Sequence, residues 1–207
     1  DVCSSDLAVS SAQFVRDDVQ CDLPLARASV GSDGYDVSKL LATTGDVTLD
    51  VGFGNGALMT TAEEYGYEVA GIDLRRTSVA LMREFGYDVR CVDLQDYSSS
   101  LPFDVVSMAD VLEHMPYPRR ALDRAYSMLR LGGLLFLSMP NLDCFLWKVL
   151  DQRKQNPYWG ELEHYHNFGR KRLYALLQEH GFTPCHYGVS QRYVACMEVI
   201  ARKGGHP

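Results

Sequence analysis

Three glycines at alternate positions behind an aspartate, in Leu49-Asp50-Val51-Gly52-Phe53-Gly54-Asn55-Gly56, constrain this chain more than any other feature. Val47, Leu49 and Val51 alternate with polar Thr48 and Asp50, the period of a strand, and the strand runs directly into residues without Cβ atoms. Gly52 and Gly54 can take the positive φ that a strand-to-helix turn needs, and Gly56 offers no side chain to hold a ligand away. Residues Ala57 to Tyr65 read as the helix that follows. In an open α/β sheet a ligand sits in the crevice beyond the carboxyl ends of the strands, where this loop lies.

Three readings of the loop stay open on its residues alone. It fits the loose dinucleotide pattern, Gly52-Phe53-Gly54-Asn55-Gly56-Ala57, and would then cradle a pyrophosphate. It can be a structural turn, or it can hold S-adenosylmethionine (SAM). Two features favour SAM. Asp50 lies two residues before the first glycine, placed to accept from the cofactor's ammonium group, and Gly56 adds a close-approach position that no pyrophosphate requires. The next segments fall in the matching order. Glu68-Val69-Ala70-Gly71-Ile72-Asp73 reads as a second strand ending in an acid roughly 20 residues beyond the glycines, where a carboxylate accepts from both ribose hydroxyls. Asp73 could instead cap a helix starting near Arg75. Val89-Arg90-Cys91-Val92-Asp93 reads as a third strand. Its Asp93 can accept from an adenine amino group while the backbone and side chain of Leu94 flank the ring; Asp96 is the alternative acid, and either can be a solvated turn residue.

Together with Leu101-Pro102-Phe103-Asp104-Val105-Val106, Asp110-Val111-Leu112-Glu113-His114 and the stretch from Met128 to Asn141, these motifs give the chain its family likeness. From about Asp36 to Lys203 it resembles the class I, Rossmann-like SAM-dependent methyltransferases of small-molecule type. The resemblance implies an α/β fold, a three-layer αβα sandwich whose seven-stranded sheet is mostly parallel with the last strand antiparallel. It implies a cofactor site formed by Asp50, Gly52, Phe53, Gly54, Gly56, Asp73, Leu74, Asp93, Leu94, Ala109, Asp110 and Leu112. The product of the cofactor would be S-adenosylhomocysteine.

Length and charge narrow the acceptor. A chain of 207 residues, 46% apolar, can bury a substantial core, and one domain is the natural count. Its apolar runs are strand-sized, so no membrane span is expected. A net charge of -7 disfavours nucleic acid held through phosphates, and Arg170-Lys171-Arg172 reads as the solvated face of a helix. Six scattered cysteines without a Cys-x-x-Cys pair argue for a reducing, cytoplasmic setting and against structural zinc or disulfides. Residues 1–7, Asp-Val-Cys-Ser-Ser-Asp-Leu, resemble a translated sequencing adapter and read as a non-native leader. Residues 8–35 form an N-terminal segment, either a lid over the cofactor or a loosely packed leader, before a short helix from Asp36 to Ala42. Residues 36–203 make the methyltransferase domain.

The acceptor side should lie after the fourth strand, roughly Phe103 to Ala109, and in an insert at 141–170 after the fifth. Glu113 and His114 can act as a base with its orienting carboxylate or simply hold the loop by hydrogen bonds. A helix is expected from Arg119 to Leu131. The insert carries both tryptophans, Trp147 and Trp159, with Phe145, Tyr158, Tyr165 and Phe168, a plausible wall for a substrate. Within it His164 and His166 share a side if extended. One of them can serve catalysis or pin the insert to the domain, while a metal held with Glu161 or Glu163 is not expected, since no third ligand follows at fixed spacing. Asn156-Pro157-Tyr158-Trp159 superficially resembles the Asn-Pro-Pro-Tyr motif of amino-methylating nucleic-acid enzymes, but it lacks the second proline and does not follow the fourth strand. Arg170 to His180 reads as a helix stopped by Gly181, and 182–189 with 193–201 as a closing hairpin. The expected reaction is in-line methyl transfer to a hydroxyl or amine of a small molecule. The rivals are a protein or RNA methyltransferase, a dinucleotide-dependent oxidoreductase, and a SAM-binding protein without catalysis. The oligomeric state is not legible.

Overall fold

The computed structural model describes residues 46–190 and 195–205. The leader at 1–7, the segment at 8–35, the short helix expected at 36–42 and the proposed strand start at Tyr193 lie outside the described residues. β1 (Val47–Val51), α1 (Ala57–Glu64), β2 (Glu68–Ile72), α2 (Arg76–Glu84) and β3 (Asp88–Arg90) build one half of the sheet. β4 (Phe103–Ala109), a 3-10 turn at Leu112–His114, α3 (Pro118–Met128) and β5 (Leu129–Pro140) follow. α4 (Phe145–Gln152), α5 (Arg170–Glu179), β6 (Phe182–Val189) and β7 (Cys196–Lys203) complete the chain.

The strands form one sheet in the order β3-β2-β1-β4-β5-β7-β6. β1 to β5 are parallel, and β7 runs antiparallel to both of its neighbours, the sheet that the family likeness implied. The chain winds outward from β1 to β3 and then returns to place β4 beside β1. That reversal opens a crevice at the carboxyl ends of β1 and β4, the expected ligand position in such sheets. Pro184 is tolerated because β6 is an edge strand with no ladder partner on its outer side.

Register decides which residues face which layer. Leu49, Val106, Leu135 and Ala201 lie side by side on one face, in the main core with Leu122 of α3 and Leu173 and Leu177 of α5. The opposite face carries Val105, Leu134, Phe136 and Ile200, with Leu58 of α1 against them. Beside it Phe53, Met59, Val79, Met82 and Val89 join α1 and α2 to the β3 end of the sheet. Two helix layers thus enclose the sheet.

Two expected boundaries move. α3 ends at Met128, not Leu131, because Leu129 is buried and pairs with Phe103 as the start of β5. A Cβ at Gly133 would stand 2.9 Å from the Arg130 carbonyl oxygen and 3.0 Å from that of Asp104, so the glycine admits a close backbone approach. The third strand stops at Arg90 rather than Asp93. Asp93 instead starts a turn, its Oδ1 accepting from the Gln95 amide at 2.8 Å.

Candidate active site

The glycine turn is strained in the way only glycine relieves, with φ of 69° at Gly52, 65° at Gly54 and 81° at Gly56. The three glycines nevertheless serve different ends. A Cβ at Gly52 would stand 2.6 Å from Val111 Cγ2, and one at Gly56 would stand 2.2 Å from Met82 Cε. Gly56 packs against the flexible end of Met82 from α2, and its left-handed φ is what calls for glycine there. At Gly54 a Cβ would meet only the Arg75 guanidinium at 3.3 Å and the Gly52 carbonyl at the limit of contact, so this is the glycine that faces the crevice.

Asp73 reaches the same point from the end of β2. Its Oδ2 accepts from the Gly54 amide at 2.9 Å and its Oδ1 from the Arg75 amide at 2.8 Å. The Arg75 side chain adds Nε to Oδ1 at 3.1 Å and Nη2 to Oδ2 at 2.9 Å. Burial alone would raise the Asp73 carboxyl, but the donors of Arg75 and Gly54 outweigh it and hold the group below its ordinary value. Asp73 does not cap α2, whose N-cap is Arg75 without a side-chain cap; it closes a turn onto the Arg75 amide just ahead of the helix, and its carboxylate lies beside the glycine turn. Asp50 lies deeper. It is opposite Ser107 in the sheet and accepts from that hydroxyl at 2.6 Å. Burial pushes its carboxyl up to about 7, with Ser107 pulling it down and the Asp73 charge adding to the rise. Two interacting carboxylates beside an open glycine suit a cofactor that carries an ammonium group and a ribose diol, so these residues fit SAM.

Several expected contacts change character. Phe53 and Leu112 are buried in the two cores and Leu94 packs into the main one, so their side chains do not face the crevice. Leu74 and Asp93 are exposed, and Ala109 is half-buried. Asp110 turns the chain out of β4 with a φ of 54°, its amide donating to the Ser138 carbonyl at 2.8 Å.

Beyond Asp110 the 3-10 turn meets the insert. The His166 amide donates to the Glu113 carbonyl at 3.2 Å, and His114 Nδ1 lies 3.0 Å from the Glu163 carbonyl. The His114 and His164 rings meet edge to face with centroids 4.5 Å apart. Tyr158 stacks on Trp147 at 4.8 Å and lies parallel to His164 at 6.3 Å, forming an aromatic wall. Glu113 is 2% exposed, and apart from its own N–H no group among the described residues donates to its carboxylate. Burial pushes it up to about 8, with the nearby Asp110 charge adding to the rise. Burial and then His114 hold His164 below its ordinary value, which keeps it neutral near pH 7. His166 parts from His164: its Nε2 lies 3.4 Å from the Pro116 carbonyl and its ring beside Phe168. It borders a separate cleft between α3 and α5.

Reasoning from the sequence missed two participants and one contact. Ser107 was signalled as the one polar residue inside Val105-Val106-Ser107-Met108, opposite Asp50. Arg75 was signalled only by its place two residues after Asp73. The meeting of Glu113 with His164 had no local signal.

A doubly wound sheet whose glycine turn faces a buried acid and a strand-end carboxylate defines a class I methyltransferase domain, of the SAM-dependent kind. The chain belongs to the family described as the methyltransferase domain, whose model matches residues 35–187. Among curated proteins it is similar to the ubiquinone biosynthesis O-methyltransferase of Xanthomonas euvesicatoria pv. vesicatoria, at 36% identity over 113 residues, 51% of this chain and 47% of that one. The enzyme of the same description from Pseudomonas entomophila is 32% identical over 113 residues, 51% of this chain and 49% of its own. The mitochondrial one of Candida albicans is 31% identical over 120 residues, 53% and 37%. The chain spans about half or less of the length of these relatives. A SAM-dependent methyltransferase of Methanosarcina mazei superposes with a TM-score of 0.65 at 21% identity, over 83% of this chain and 99% of that one. The 1,6-didemethyltoxoflavin-N1-methyltransferase of Burkholderia thailandensis, solved with 1,6-didemethyltoxoflavin and S-adenosylhomocysteine, does so with 0.61 at 22%, over 78% and 72%. At these identities the two structures establish the shared fold. No helix among the described residues is long and apolar enough to cross a membrane.

Proposed function

We propose that the chain transfers the methyl group of SAM to a hydroxyl or amine of a small-molecule acceptor, releasing S-adenosylhomocysteine. The observation that carries this reading is the cluster of Glu113, His114 and His164 against the Tyr158 and Trp147 wall, just past Asp110 at the end of β4. SAM, when bound, supplies a methyl already activated by a positively charged sulfur. Asp50 would accept from the ammonium end, Gly54 would let the backbone approach, and Asp73 would accept from the ribose hydroxyls in place of the Arg75 side chain. The main chain at Asp93 and Leu94 borders the adenine. Ala109 and Asp110 line the methionine portion. His164, neutral and half-buried, takes the proton of an acceptor hydroxyl, and His114 faces it. His166 ties the insert to the turn at Pro116.

Similarity to O-methyltransferases of ubiquinone biosynthesis supports a hydroxyl acceptor, and the Burkholderia enzyme supports a ring nitrogen. The net charge of -7 supports a small molecule over nucleic acid. The free thiols of Cys91, Cys144, Cys185 and Cys196 support a reducing, cytoplasmic setting. The test measures S-adenosylhomocysteine release with phenolic, amine, peptide and RNA acceptors. Turnover on small acceptors alone, cut about 100-fold or more by His164→Ala, is the expected result. Turnover on peptide or RNA, unchanged turnover in His164→Ala, or SAM binding with no turnover on any acceptor would each overturn the reading.

A further inference from the structure

Glu113, His114 and His164 come from two segments fifty residues apart, yet each offers a ligand atom and these atoms lie within 4.8 Å of one another. We propose that the three form a binding site for a divalent cation of the zinc class. Glu113 is almost fully buried, and among the described residues no other group donates to its carboxylate or forms an ion pair with it. His164 Nδ1 is likewise buried, with no hydrogen-bond partner among the described residues. His114 is already set for the task. A carbonyl oxygen can only accept, so Nδ1–H donates to Glu163 and the lone pair is left on Nε2. Fixing a ring through its other nitrogen in this way is how metal-bound histidines are commonly oriented.

The donor set narrows the ion. Two imidazoles and one carboxylate match three-ligand catalytic zinc sites, with a fourth position left open, and they disfavour magnesium, which takes oxygen ligands. Ligands at about 2.1 Å from a tetrahedral ion stand roughly 3.4 Å apart. Small side-chain rotations therefore suffice to close the trio. The cation would also offset the negative charge that Asp110 adds beside Glu113. Local spacing gave no hint of this site, since the third ligand arrives only when the insert folds back on the 3-10 turn.

This site rests on the reading of the same corner as the acceptor site, with one change of role: with the ion bound, His164 is a ligand rather than the base, and the open position would take the acceptor's hydroxyl oxygen and ease loss of its proton to solvent. It is tested on the tag-free chain after chelator treatment, by Zn²⁺ titration against a chromophoric chelator and by the visible spectrum with Co²⁺. One equivalent is expected to bind, with Co²⁺ bands free of thiolate charge transfer. Glu113→Gln and His164→Ala should each weaken it by more than about 100-fold, above the loss that an outer-shell change brings. His180→Ala, remote from the trio, should leave it unchanged. SAM binding by calorimetry verifies that each variant is folded; if either is not, His114→Ala and the wild-type Co²⁺ spectrum decide. Substoichiometric binding, equal affinity in the ligand variants, or a cysteine signature would overturn the proposal. Binding without turnover on any acceptor keeps the site and fails the functional reading. Turnover without metal binding does the reverse.

Discussion

On the cofactor side of the crevice the two carboxylates are already satisfied by the protein. Asp73 accepts from Gly54 and Arg75, and Asp50 from Ser107. On the acceptor side Glu113, His164 Nδ1 and Trp147 Nε1 are buried with no hydrogen-bond partner among the described residues. An unmet buried polar group costs about 1–3 kcal/mol, so the second region carries a cost that the first does not, and a bound ligand would lower it. The first region is a preformed cradle with its own stand-in cation, and the second is a socket whose contents complete it.

The largest expected effect tests whether the socket has rigid walls. Trp147 is 1% exposed and stacks on Tyr158, so Trp147→Ala should cost about 3–5 kcal/mol of stability in denaturant unfolding. A loss below about 1 kcal/mol would mean that the insert is not packed onto the domain. The next two variants should differ in sign. Ser107→Ala strips Asp50 of its donor and should destabilise by about 1–3 kcal/mol at pH 8. Glu113→Met, measured in metal-free protein, should stabilise by about 1–3 kcal/mol, because an unpaired buried carboxylate gives way to an apolar chain. If both variants destabilise, the contrast between the regions fails.

Proton linkage sharpens the same contrast. The Asp50 carboxyl, raised to about 7 in the folded chain, holds a proton that the unfolded chain has released above about pH 4. Its contribution therefore makes the protein less stable as pH rises from about 4 to 7 and is flat beyond. Asp50→Asn should remove that slope. SAM affinity should rise from pH 6 to pH 8 in the wild type, as ionised Asp50 becomes available to the ammonium group, and stay level in the variant. The smallest effect belongs to Arg75. Its guanidinium is largely exposed although the Asp73 carboxylate is buried, and solvent screening leaves the pair worth about 1 kcal/mol, so Arg75→Ala should tighten SAM binding by no more than about fivefold in calorimetry.

The same division explains what could be read from the sequence. The glycine turn, Asp50 and Asp73 lie within 24 consecutive residues, and a local pattern carried both their geometry and their chemistry. Where strand propensity met a turn, the sequence misled. Val92 and Asp93 continue an apolar rhythm, but the Asp93 side chain bonds its own downstream backbone and ends the strand early. Leu129-Arg130-Leu131 has helical composition, yet pairing of Leu129 with Phe103 and the glycines after it draw it into β5. Phe53, Leu94 and Leu112 sit beside the crevice in sequence and point away from it in space. The trio of Glu113, His114 and His164 was beyond reach, since neither spacing nor periodicity reports a contact made by the return of a long insert.

That return has a closed neck. Asn141 bridges Phe168, the Leu142 amide donates to the Phe168 carbonyl at 2.9 Å, and Asp143 Oδ2 accepts from the Arg170 amide at 2.9 Å. The two ends of the 141–170 segment are thereby joined before anything within it is specified. Because closing a loop costs little more when the loop lengthens, residues between these clasps can be exchanged or added with small cost to the sheet. The neck makes the insert an interchangeable cartridge, whose sequence and length can vary while the sheet and its glycine turn stay as they are.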